Sequence, residues 1–266
     1  MRVRVVALNT FAGLVRNKLI VLFCAVFLCV VLLMMSPLMM MKSMSSTNTE
    51  AYQSTILGLV GAIMSMLSAF GSLLAAGAAA ESVAGEIRSG TILALLARPV
   101  RRWEFLLGKY LGVQCLMAVY ALFMLGMSYL LAWIGGARIQ ATPWVLVVYP
   151  LVRWAVYSAI SLLLVTMMHP VLAFGAVLVV SVVSALASPT SRSLDFLPGW
   201  LHNGLYAVLP STELLGETRF LTITQANLKP IPWTDHATAL AYGLDYALVF
   251  FLLAVWSFRR RGLVRD

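Results

Sequence analysis

The side chains with which this 266-residue chain could do chemistry are few and scattered. A metal site needs ligands that converge, and the three histidines (His169, His202 and His236) lie far apart, with His169 placed by the hydrophobic pattern at the opposite membrane face from the other two. Cys24, Cys29 and Cys115 fall inside apolar runs, with neither zinc-type spacing nor an even-numbered framework, so they read as small core residues. A phosphate-binding loop would need GxxxxGK[ST]. The nearest fragment is Gly108-Lys109, but Trp103 occupies the first glycine position and Tyr110 follows the lysine, so the amide nest that cradles a phosphate is missing. The paired acidic motif of membrane phosphoalcohol transferases is missing too. The sequence therefore predicts no catalytic residues, no metal and no cofactor bound by this chain.

The elements that must position the remaining charges are set by composition. Hydrophobic residues make up 61% of the chain and charged ones 11%, whereas a soluble domain carries about 25% charged residues. A water-soluble enzyme is excluded, and so is a disordered chain. The net charge of +9 reports orientation in a bilayer rather than a nucleic-acid partner. A spanning helix needs about 20 apolar residues, and six such runs are present, at about 19–41, 55–80, 106–133, 146–168, 171–187 and 237–257. The first is too long for the roughly 7–15-residue core of a signal peptide and reads as a retained span. Before it, Val3, Val6, Ala7, Phe11, Leu14 and Val15 recur at helical spacing with basic residues at both ends, which predicts an interfacial helix over 1–18, in contact with membrane lipid. The second span is rich in Gly, Ala and Ser at spacings that allow close helix approach.

Six spans place both termini on one side. That side holds thirteen Lys and Arg, the other holds five, and Arg153 is left within span four. The positive-inside rule puts both termini and the segment 81–105 in the cytoplasm. The connection 188–236 then lies outside, with Trp200, Leu201, Leu205 and Leu209 at helical spacing between Pro198-Gly199 and Pro210. Two ionisable groups stand inside spans, Arg153 and Asp245. Charges at such depth are costly and often mark a pathway or an internal pair. Either the two pair near the outer leaflet, or each reaches the outer surface and faces water, which is the simpler reading.

The most charged stretch is Glu81–Lys109, ESVAGEIRSGTILALLARPVRRWEFLLGK. Ser89-Gly90-Thr91 interrupts the helical run and offers an N-cap. Ile92–Ala97 then forms about two helical turns, stopped by Pro99, while Arg101, Arg102 and Trp103 suit the headgroup region. Such a short, stiffly bounded helix at the surface can pass force between a soluble partner and the flanking spans.

As a set, Glu81, Gly85-Glu86, Gly90-Thr91, the leucine run including Leu95, Pro99, Arg101, Arg102 and Gly108-Lys109 resembles the signature region of the ABC-2 type permease family, the membrane subunits of ATP-binding-cassette exporters. The resemblance implies an all-α, six-span membrane protein of one domain over residues 1–266, in a prokaryotic cytoplasmic membrane. It implies a coupling helix within 81–105 that docks on an ATPase, and a second, smaller contact at the turn around His169 and Pro170. It further implies two ABC ATPase subunits as partners, which would hold the ATP and Mg, and a second permease copy, most simply in a homodimer. Export of a substrate is the expected function. Some relatives, in the copper-maturation system of nitrous oxide reductase, support an alternative: ATP-driven motion passed to an extracytoplasmic partner without moving substrate.

Overall fold

The computed structural model describes residues 2–18, 50–88, 101–136, 143–186, 198–211, 214–216 and 232–260, with the single positions 21, 25, 29, 32, 33 and 36. Among these residues all regular structure is helical: α1 (Arg2–Val15), α2 (Glu50–Arg88), α3 (Arg102–Gly135), α4 (Pro143–Met167), α5 (Pro170–Leu186), α6 (Gly199–Val208) and α7 (Trp233–Arg260). Four of them, α2, α3, α4 and α7, are long and apolar enough to cross a membrane. α5 matches the expected fifth span but has only 17 residues, about 25 Å at 1.5 Å per residue. Of the expected first span, only the six single positions are described, and each is helical. The protein is thus an all-α polytopic membrane protein with several long apolar helices.

Helix ends depart from the hydropathy pattern where polar residues can be carried at a bundle's rim. α2 continues past residue 80 to Arg88, and α3 starts at Arg102 rather than 106. The expected segment 81–105 therefore narrows from both sides, and Gly90, Thr91, Leu95 and Pro99 within it lie outside the described residues. At the start of α3, the Arg101 N–H donates to the Glu104 carboxylate at 3.1 Å, half of a capping box. At its end, Gly136 sits at φ 72° and its N–H donates to the Trp133 carbonyl. That left-handed closing residue is where a Cβ is least tolerated.

α4 is the central helix, packed against α2, α3, α5 and α7. It runs unbroken through Pro150, although proline removes one backbone hydrogen bond, because neighbouring helices enclose it on most sides. Its Trp154 is fully buried in a groove of α2, where a Cβ on Gly71 would collide with the indole. The indole Nε1–H donates to the Ser68 carbonyl at 3.0 Å, and Tyr120 on α3 closes the cluster by donating to the Leu67 carbonyl at 3.0 Å. Further contacts across helices run from Ser161 to the Ala76 carbonyl, from Tyr110 to the Ala155 carbonyl, and from Gln114 to Ser158. In an apolar solvent, close packing and such bonds hold helices together. The small residues of α2 divide accordingly: Ser68, Gly71 and Ser72 are buried, while a Cβ at Gly58 or Gly61 would meet nothing within 4 Å.

Two expectations about faces are corrected. In α1 part of the predicted apolar stripe is taken up by protein: Val6, with Thr10 beside it, presses on Gly108 and Gly112 of α3, and Leu14 is buried. Val15 of the stripe stays exposed, together with Val5 and Leu8 from outside it. Cys29 and Cys115 are exposed on helix surfaces rather than in the core, and Cys24 lies outside the described residues. A bilayer accepts small apolar side chains outside as readily as a core does inside, so hydropathy does not separate the two places.

Candidate functional site

One end of the bundle gathers α1, the end of α2, the start of α3, the α4–α5 turn and the end of α7. Its centre is an ion pair between Glu86, on the last turns of α2, and Lys109, two turns into α3. The Lys109 side chain is 6% exposed and that of Glu86 24%. A buried ammonium is expensive unless it is paired and bonded. Here the Glu86 carboxylate meets it directly, and the Phe105 ring lies 5.5 Å from the ammonium nitrogen. The pair fastens together the two helices from which residues 89–100 depart.

α1 lies across this junction because α3 has no side chain at two places one turn apart. A Cβ on Gly108 would come within 2.6 Å of Val6, and one on Gly112 within 2.7 Å of Thr10 and 2.8 Å of the Ala7 carbonyl. Lys109 stands between those glycines in sequence. The Thr10 hydroxyl donates back to the Val6 carbonyl at 2.8 Å, so its oxygen is satisfied within α1 and the helix offers α3 a methyl group.

Arg102, the first residue of α3, reaches the last turn of α7. Its Nη1 donates to the carbonyls of Phe258 at 3.3 Å and Arg259 at 3.2 Å, two of the acceptors a helix C-terminus leaves open. One turn on, Phe105 stacks on Phe258 with centroids 6.1 Å apart. Arg101 is exposed, Glu81 is half-buried, and a Cβ on Gly85 would sit 3.7 Å from the Glu81 carboxylate. His169 belongs to the same end, since Thr166, three residues before it, contacts Ser257 of α7 at 3.1 Å. The turn consists of Met168 and the exposed His169, whose Nδ1 accepts the Val171 N–H at 3.4 Å. Pro170 opens α5 at the first helical position, where proline's missing N–H costs nothing.

Structure thus brings together Glu86, Arg101, Arg102, His169 and Pro170 at one end, with Lys109 as the partner that motif reading left unassigned. A lysine inside an apolar helix is itself a signal, because it must find an acid. Arg153 and Asp245 do not pair with each other among the described residues. Arg153 lies between the buried Tyr149 and Tyr157 on α4, and its Nε is buried without a hydrogen-bond partner. Asp245 is exposed on α7. It lies about 200° around the helix from Gly243, which packs on Val152 of α4.

Among the described residues no group of three or more His, Cys, Asp or Glu is placed to hold a metal. Gly126-Met127-Ser128 on α3 has the local pattern of an intramembrane serine nucleophile, but the Ser128 hydroxyl donates to the Leu125 carbonyl of its own helix at 2.7 Å.

The opposite end is aromatic. Trp144 of α4 stacks on Trp233 of α7 at 5.5 Å, and His236 stands edge-on to Trp144 at 5.1 Å. The Tyr149 hydroxyl meets His236 Nδ1 at 2.8 Å. Tyr242 accepts the Ser211 N–H at 2.9 Å, and Ser184 of α5 donates to the Pro210 carbonyl. The expected helical pattern after Pro198 is realised as α6, and these bonds tie the residues that follow it to α5 and α7.

No curated protein matches the chain. A family model described as ABC-2 family transporter protein matches residues 4–263, nearly the whole length. A permease-type membrane subunit, with most of its described basic residues gathered at one end of an apolar bundle, is what that match and this geometry both describe: the chain belongs to the ABC-2 family of membrane transporter proteins.

Proposed function

We propose that this chain is the permease subunit of an ABC exporter and that the segment between α2 and α3 is its contact with a separate ATPase subunit. The basic end faces the cytoplasm, both termini are cytoplasmic, and residues 19–41 supply a sixth span. Two permease copies, most simply identical, work with two ATPase subunits that hold ATP and Mg. Closure of the ATPase dimer pushes the segment around Gly90, Thr91, Leu95 and Pro99, and the α4–α5 turn at His169 and Pro170 is a second, smaller contact.

The observation that carries this reading is the Glu86–Lys109 pair at the base of the segment. An intervening helix can lever two spans only if both its ends are held at a fixed separation, and a buried ion pair between the flanking helices does that. The same geometry gives Gly85-Glu86 before the segment and Gly108-Lys109 after it a shared role in this chain. The charges meet each other, and Gly108 beside the lysine admits α1.

The test is Gly90→Trp in the permease–ATPase complex reconstituted in proteoliposomes. The variant inserts and folds normally, but the ATPase activity is no longer stimulated by the permease. Stimulation equal to that of the unaltered complex overturns the coupling assignment.

A further inference from the structure

The role of Arg102 is not explained by holding α2 to α3. Its guanidinium lies at the junction between the coupling segment and α7, with Nη1 on the carbonyls of Phe258 and Arg259 at 3.3 and 3.2 Å. A cation at a helix C-terminus meets both open carbonyls and the negative end of the helix dipole. Phe105 and Phe258, both buried, stack at the same junction. The first turn of α3 and the last turn of α7 are therefore fixed to one another by a two-acceptor hydrogen bond and a ring stack, immediately after the segment proposed to receive the push.

α7 is one uninterrupted helix of 28 residues, about 42 Å long at 1.5 Å per residue. Towards its other end it holds the residues following α6. Tyr242 accepts the Ser211 N–H, and Gly243 packs so closely that a Cβ there would come within 2.9 Å of Leu215. Its first turns carry His236, bonded to Tyr149 of α4. A displacement entering at Phe258 has a stiff path to residues 209–211 and to Leu215.

We infer that Arg102 is the positioning residue that latches α7 to the coupling segment, so that ATP-driven movement reaches the aromatic end through α7 as well as through α2 and α3. The inference rests on the coupling reading above, and the experiment separates the two. In the reconstituted permease–ATPase complex, with Cys24, Cys29 and Cys115 replaced by alanine, spin labels are placed in two pairs. Leu111→Cys with Met167→Cys reads α3 against α4; Leu253→Cys with Met167→Cys reads α7 against α4. All three positions are exposed.

A non-hydrolysable ATP analogue shifts both distances in the otherwise unaltered chain. Arg102→Gln abolishes the α7 shift and keeps the α3 shift, and the retained shift shows that the variant is folded and still coupled. Arg102→Lys, which keeps a cation at the α7 C-terminus, restores part of the α7 movement. An α7 shift that persists in Arg102→Gln overturns the latch. So does an α3 shift without an α7 shift in the unaltered chain, which leaves coupling intact. Loss of both shifts in Arg102→Gln shows a general structural role and overturns it as well. No shift in either pair of the unaltered chain overturns coupling, and the latch with it.

Discussion

At the basic end of the bundle, helices are joined by charge: Glu86 to Lys109, and Arg102 to the carbonyls of Phe258 and Arg259. At the aromatic end they are joined by ring stacking and neutral hydrogen bonds, with Trp144, Trp233, His236 and Tyr149 in one cluster and Tyr242 on Ser211 beside it. The two chemistries fail differently. A buried ion pair is a costly arrangement that becomes far costlier when one partner is lost, so it enforces a single geometry. A cluster of neutral aromatic contacts is a sum of small terms and tolerates loss of one. The basic end is held to one geometry, and the aromatic end seats the residues that follow α6 on α5 and α7.

The contrast is sharpest at Glu86. Glu86→Leu strands the Lys109 ammonium in the bundle and is expected to destabilise by about 3–5 kcal/mol. Glu86→Leu with Lys109→Leu removes both charges and recovers most of that loss. Thermal unfolding of the detergent-solubilised permease checks both, and a double variant no more stable than the single one would remove the ion pair from its central place. Gly112→Val comes next. Its Cβ would lie 2.7 Å from Thr10 and 2.8 Å from the Ala7 carbonyl, so α1 must shift, at about 1–3 kcal/mol. Limited proteolysis should then release α1 earlier than in the unaltered chain; unchanged cleavage would mean that α1 is not held by this close approach.

At the aromatic end the expected effects are smaller. Tyr149→Phe deletes the hydrogen bond to His236 but keeps the ring in its buried place, and should cost about 1 kcal/mol. If its melting shift equalled that of Glu86→Leu, the proposed difference between the two ends would be gone.

Much of this was legible in the residues. Apolar run lengths gave α2, α3, α4 and α7, helical spacing between two prolines gave α6, and the crowded motif from Glu81 to Lys109 pointed to the segment whose two anchors the structure joins. The helix ends were less legible, because α2 carries Glu81 and Glu86 as helical residues and α3 starts with Arg102, where a window tuned to hydropathy stops early. The face of α1 was only partly legible for a related reason: Val6 is as apolar as Val5, and only the glycines of α3 decide which of them meets protein.

By itself the sequence determined that the chain is a helical membrane protein with its basic residues unevenly distributed and one strongly charged segment between two long apolar helices. Those properties depend on local composition and period, which survive without knowledge of any neighbour. Only the tertiary structure decided that Lys109 answers Glu86, that Arg102 closes α7 across 156 residues of chain, and that Trp154 fills the groove at Gly71. Within a bilayer, lipid and protein interior are equally apolar. Hydrophobicity therefore sets which segments enter the membrane, and shape and charge pairing set which faces meet.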